Sequence, residues 1–333
     1  MKRFLTVFLA VFLARSAFAQ ENRPIGAIDF FGQKGLDVEA VRRALPIHEG
    51  DLTSSREELK KSESEAVKKT LGRDPTDVAT VCCDDRQRVL IYIGLPGQSS
   101  KPVKFNPTPK GAIRLPADVM QLSHEIDQAL MAAILKGASR EDDSQGYALS
   151  EEATSKAKQL ELREYALRNE ATILQVLKSS SDAGHRAFAA EALGYGRQSD
   201  TQIAALVSAS LDPDGNVRDN AVRALGVMAR AKPEIARKIS AAPFIQLLAS
   251  GTWTDRNKAI LALEPLTSAR NPDVLKQLRD SAIDQLIEVA RWHNLGHAWA
   301  GRMVLGRIAG IEEKRLLELA GTGQVDAIVK ELH

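Results

Sequence analysis

"LDPDGNVRDNAVRALG", Leu211–Gly226, decides the fold, because most of it recurs without a gap. The thirteen-residue frame that starts at Asp214 returns as "DAGHRAFAAEALG" at Asp182, "TWTDRNKAILALE" at Thr252 and "NLGHAWAGRMVLG" at Asn294. The starts are 32, 38 and 42 residues apart, within the range of helical repeat units. Position one is a good helix cap each time: Asp182, Asp214, Thr252, Asn294. Position eight is small (Ala189, Ala221, Ala259, Gly301), as close helix packing demands, and position twelve is leucine (Leu193, Leu225, Leu263, Leu305). Position five is Arg186, Arg218 and Arg256, with Ala298 in the fourth copy.

Second helices fill the spaces between frames: Thr201–Leu211, Ala241–Ser250 and Asp273–Trp292. Each repeat is then a helical hairpin that buries its apolar face only by stacking on its neighbours. "LDPDGNVRDNAVRALG" resembles a HEAT repeat, with the Asp–Val–Arg turn and A-x-x-A-L-G heart of that family, and bacterial HEAT-like repeats are the nearest likeness. The resemblance implies an α-solenoid over residues 170–333 that serves as a protein-binding surface, and it implies no single activity.

Upstream, the order of elements is readable. "IGAIDFFG" is rich in strand formers; Asp37 caps "VEAVRRAL", which Pro46 stops. Ser55 and Glu58 form a capping-box pattern at the head of a second helix that Gly72 closes. "DVATVCCD" and "RVLIYIGL", joined by "DRQ", read as a hairpin. Strand, helix, helix, strand, strand over residues 24–97, with "LPIHEGD" (Leu45–Asp51), resembles a POTRA domain. That resemblance implies a small α+β module with an exposed edge strand and a place near cell-envelope assembly. No alternating barrel strands follow. The whole is thus expected to be mainly α, an α-solenoid preceded by a small α+β domain. Residues 98–114, polar and rich in proline, read as a linker. Leu115, Val119, Leu122, Ile126, Leu130 and Ile134 step at helical spacing and open a helical connector over 115–169, which "GASREDDSQG" interrupts before a further helix from Ser150 to Asn169.

Residues 1–19 have the makeup of a cleavable signal peptide: Lys2 and Arg3, the apolar run Phe4–Ala14, then Ala17, Phe18 and Ala19. The run is about half of the ~20 residues that cross a bilayer, so the chain is expected to be secreted or periplasmic with no transmembrane segment after cleavage. Losing Lys2, Arg3 and Arg15 turns the formal charge of +2 into −1, which argues against nucleic acid as a partner. The only cysteines, Cys82 and Cys83, are neighbours; on a strand they point to opposite faces, so one thiol in the core and one at the surface is the expectation.

For chemistry, "FGQKG" around Gly32–Gly35 lacks the spacing and the Ser/Thr of a phosphate loop and reads as a corner where a strand turns toward its helix. "WHNLGH" sets His293 and His297 four apart, a metal or ligand pair if one helix holds both; Asn294 as a cap would place His293 outside it. Arg186, Arg218 and Arg256 suit either a ladder of contacts between repeats or a stripe that meets acidic segments of a partner. Trp253 and Trp299 suit either packing or anchoring a partner. No nucleophile elbow, clustered metal ligands or dinucleotide fingerprint appears, so no cofactor is assigned. The reading is a non-enzymatic exported adaptor for a protein or peptide partner, which the POTRA resemblance implies is a cell-envelope component; the alternative is an extracytoplasmic enzyme accessory with a ligand or metal pocket at His293 and His297.

Overall fold

The structure, a computed structural model, describes residues 22–138 and 140–332. The signal-peptide reading lies outside them. The described chain forms two compact units, one of Lys104–Ile245 with Lys258–Asn271, the other of residues 22–103 with Gln246–Asn257 and 272–332.

In the second unit, β1 (Ile25–Phe31), α1 (Val38–Ala44), α2 (Arg56–Leu71), β2 (Asp77–Val81) and β3 (Val89–Gly94) follow in the order read from the sequence. Asp37 accepts from the Ala40 N–H at the head of α1, Ser55 and Glu58 close the capping box of α2, and Gly72 ends α2 with a left-handed φ of 69°. The sheet order is β1-β3-β2, with β1 parallel and β2 antiparallel to β3. Ile28, Phe30, Val89, Ile91 and Ile93 pack with Val41, Leu59 and Val67 of the two helices. The opposite sheet face, bearing Asp29, Phe31 and Tyr92, is buried too.

Trp253, Trp292 and His297 of the same unit lie over Tyr92 on that face; the unit's C-terminal part forms α11 (Pro272–Ser281), α12 (Ile283–Ala290), α13 (Leu295–Ile308), α14 (Glu313–Gly321) and α15 (Val325–Lys330). The helix expected over Asp273–Trp292 is two, broken at Ala282, whose φ of −134° and ψ of 9° leave the helical region. The break lets α12 lay Gln285 and Glu288 against residue Ser99 of the segment after β3.

Sequence logic placed both cysteines on one strand, but β2 ends at Val81 and strand alternation no longer separates them. Cys82 and Cys83, both half-buried, are joined to each other as a disulfide. The expected core and surface thiols give way to that bond.

The first unit is built of α3 (Ala117–Leu135), β4 (Glu141–Asp142), β5 (Leu149–Ser150), α4 (Ala153–Ser179), α5 (Ala183–Gly194), α6 (Asp200–Ala209), α7 (Gly215–Ala231) and α8 (Pro233–Ala236). α9 (Ala242–Leu247) and α10 (Trp253–Leu266) run between the stretches assigned to the two units. The frame caps act as such: Asp182 accepts from the His185 N–H, Asp214 from Asn216 and Val217, and Asn294 from His297. Ala189, Ala221, Leu193 and Leu225 are buried between α5 and α7, and a Cβ on Gly194 would come within 3.1 Å of Ala224. The helix expected to stop at Asn169 continues to Ser179 through a kink there, where φ is −121°. Residues 98–114 are no free linker: within the first unit the Phe105 ring lies 4.0 Å below the Arg218 guanidinium, and Gly111 pairs with Ser179 and Ser181. Within the second, the Lys101 N–H donates to the Ala249 carbonyl at 2.7 Å.

Candidate functional site

The three arginines at frame position five start in the first turn of α5, α7 and α10, and all are buried. From that position the guanidinium reaches the carbonyl six residues earlier in the connecting loop: Arg186 donates to Ser180 O, Arg218 to Asp212 O and Arg256 to Ser250 O. The further donors of Arg186 grip Asp212 in two parallel bonds of 2.9 and 2.8 Å, a charge-assisted fork that raises its affinity for its proton. Those of Arg256 reach Glu288 at 2.8 Å and Ser99 O at 2.8 Å. Burial pulls the Arg256 guanidinium down from its usual value, and Glu288 opposes the shift. In the fourth copy, where Ala298 stands at position five, Arg302 one turn later donates to Ala290 O and Ala320 O. The arginine row is therefore internal: its charges close repeats, and the solvent-facing stripe gives way to a ladder because the guanidiniums are consumed by carbonyls and carboxylates of the chain itself.

Trp253 is likewise inside. Its backbone N–H donates to the Asp77 carboxylate at 2.9 Å, and its ring stacks 4.8 Å from Tyr92, with Trp292 and His297 completing an aromatic nest. Burial holds the Tyr92 hydroxyl well above its ordinary pKa, and Asp29 adds to the shift; that hydroxyl meets His297 Nδ1 at 2.6 Å. As an anchor for a partner, Trp253 is sterically excluded.

His293 and His297 do not share a face. Asn294 caps α13 and leaves His293 outside the helix, where its Nδ1 lies 2.7 Å from Asp29 and its backbone N–H donates to the same carboxylate. The Asp29 hydrogen bond raises the imidazole above its usual value. His297 turns to Tyr92 instead. Among the described residues no group of histidine, cysteine and carboxylate side chains is arranged to hold a metal ion. The pocket expected at this pair is thus replaced by two separate structural contacts.

Sequence reading missed what the "GQKG" corner does. The Gly32 and Gln33 amides donate to the Glu288 carboxylate at 2.9 and 3.0 Å, Ser99 Oγ donates to it at 2.5 Å, and Lys34 pairs with Asp284 at 2.6 Å. Gly32 has a φ of 71°, and a Cβ there would meet the Leu95 carbonyl. The corner does cradle an anion, and that anion is the chain's own α12.

Trp299 remains at the surface. It sits half-buried on α13 one turn after Leu295, which is 48% exposed; its ring lies against Gly321 of α14, one turn after the exposed Leu317. Of the residues singled out from the sequence, this one keeps apolar area available to another molecule. The patch was legible only in part, since Leu295 and Leu317 are distinguished by exposure rather than by pattern. No described helix is long and apolar enough to cross a membrane.

The family model for HEAT repeats matches residues 170–264. No curated protein matches the chain. Among solved structures, an engineered protein aligns with 19% identity and a TM-score of 0.38, covering 65% of this chain and 94% of its own. A designed armadillo repeat protein in complex with the peptide (KR)4 aligns with 17% identity and a TM-score of 0.38, covering 65% of this chain and all of its own. The chain is a mainly helical repeat protein, HEAT-like over residues 170–264.

Proposed function

We propose that the protein is a non-enzymatic exported adaptor that holds a protein or peptide partner on its helical repeats. The observation that carries this reading is the Trp299 patch: a half-buried indole and an exposed leucine a turn apart on a repeat helix. An aromatic side chain so placed supplies large contact area at small conformational cost, which is how interface anchors work. The HEAT-like match supports a protein-binding scaffold in general.

The order strand, helix, helix, strand, strand in residues 25–94 supports the POTRA-like reading and, through it, a partner in the cell envelope. Strand addition at β1 is disfavoured, because its outward groups are engaged: the Ile28 N–H by Glu49, Ile28 O by Arg42 and Phe30 O by Trp292. Edge pairing, where it contributes, falls to β2.

The test is a crosslinked pull-down of the full chain from its native envelope fraction, beside the Trp299→Ala variant. Recovery of one envelope protein by the parent and its loss from the variant is the expected result; equal recovery by both removes the patch from the mechanism. Export is checked by fractionation and N-terminal sequencing, with Gln20 as the expected first residue of the mature protein.

A further inference from the structure

Cys82 and Cys83 are joined to each other where β2 ends, and they are the only cysteines of the chain. A disulfide stabilises chiefly by constraining the unfolded chain, and the effect grows with the loop that it closes. Between neighbours that loop is the smallest a chain can offer, so the bond staples little. The turn that follows is closed without it. The Arg86 and Arg88 amides donate to Asp84 Oδ1 at 2.9 and 2.8 Å, and Arg88 Nε donates to Asp84 Oδ2 at 2.8 Å. The Asp84 N–H in turn donates to the Arg88 carbonyl at 2.9 Å, and the Val89 N–H to the Pro24 carbonyl at 2.8 Å. Asp84 is buried, whereas the two cysteines are half-buried and Asp85, Arg86 and Gln87 are exposed. The pair therefore borders a turn that a carboxylate holds in shape, and part of each cysteine meets solvent. The Arg23 guanidinium lies 3.8 Å from Cys83 Sγ, and the same nitrogen donates to Gln87 O at 3.4 Å and Gln87 Oε1 at 3.2 Å. A cation beside a sulfur favours its thiolate, and in exchange reactions the less basic thiolate leaves faster.

We propose that Cys82–Cys83 is a thiol–disulfide exchange site, opened by a dithiol that attacks Cys82 while Arg23 receives the Cys83 thiolate. One thiolate of the dithiol bonds to Cys82 Sγ, and the Cys82–Cys83 bond breaks with its electron pair on Cys83. The second thiol of the reagent, deprotonated, then attacks the reagent's own bonded sulfur and expels Cys82 as a thiolate. Both cysteine thiolates take up protons from solvent, which received those of the dithiol. The dithiol leaves as a disulfide, oxidised by two electrons, and the cysteine pair is reduced by the same two. A disulfide reagent closes the pair again by the reverse steps. Asp84 keeps the turn throughout, so one fold serves both states. The site is separate from the Trp299 patch and stands or falls without it.

The experiment treats the folded chain with dithiothreitol as the dithiol and counts thiols by iodoacetamide labelling and mass spectrometry. Before treatment the chain is expected to show no free thiol. Dithiothreitol should then release both thiols with the helical circular dichroism unchanged. Arg23→Gln is expected to slow that release about tenfold, and Arg23→Lys to restore most of the rate. With glutathione and iodoacetamide added together, fragment masses should place glutathione on Cys82 and the iodoacetamide label on Cys83. Cys82→Ser/Cys83→Ser is expected to melt at the temperature of the parent. Free thiols before treatment, release only in denaturant, a rate in Arg23→Gln no lower than the parent's, glutathione on Cys83, or a lowered melting temperature of the serine variant would each overturn the proposal. None of those outcomes bears on the Trp299→Ala pull-down.

Discussion

Arg186 and Arg256 occupy the same position of the frame, and each donates to the carbonyl six residues before it. Their remaining donors part company. Arg186 grips Asp212, in the loop that leads to the next frame, and so ties one repeat to its successor. Arg256 reaches Glu288 and Ser99, and Glu288 in turn holds the Gly32 and Gln33 amides. The same residue in the same helical turn therefore serves repeat stacking in one place and attachment of the small sheet in another. A repeat frame fixes where a guanidinium starts, while its partners depend on what the rest of the chain brings to it.

Glu288→Gln should expose the difference most strongly. It leaves a buried Arg256 without its counter-charge and weakens the acceptor for three further donors, a loss of about 3–5 kcal/mol that a denaturant titration would register as a lower midpoint. Asp212→Asn should cost less, about 2–3 kcal/mol, because one fork is weakened and the Ser180 contact of Arg186 survives. If the two variants lose equal stability, the added role of Glu288 is not energetic.

A carboxylate with no guanidinium offers the converse case. Glu63 of α2 is fully buried, and burial pushes its carboxyl up to about 7, with Ser62 opposing. A folded-state pKa above the unfolded one means that folding takes up a proton and stability declines as pH climbs from about 4.5 to 7. Glu63→Gln is accordingly expected to stabilise the chain at pH 8 by about 1–3 kcal/mol and to change little at pH 4. Melting curves at the two pH values distinguish this from a general packing effect, which would appear at both.

His293 should give the smallest effect. Asp29 raises its folded-state pKa, so the contribution is fully present below the ordinary imidazole value and disappears as pH rises through the raised one. The imidazole is 59% exposed, and solvent screening keeps the gain below about 1 kcal/mol. Proton NMR of the ring should show a titration midpoint above the usual value, and Asp29→Asn should bring it down.

The repeats were legible because caps, small residues and leucines at fixed positions are local requirements of one helix on the next. Trp253, Arg256 and Glu288 were not legible as a group, since each also meets a partner 150 or more residues away and no spacing links them. One signal was available. "VLIYIG" of β3 is apolar at every position, and a strand without a polar face needs cover on both sides. The β4–β5 hairpin left no such sign, because two-residue strands carry no periodicity.

Tyr92 and His297 meet across 205 residues of sequence. A chain made N-terminus first at about 5–20 residues per second exposes the Asp29, Phe31 and Tyr92 face for roughly 10–40 s before its cover exists. During that interval the nascent sheet is an unprotected surface, so a holdase is worth more to this protein than to one whose domains finish in order.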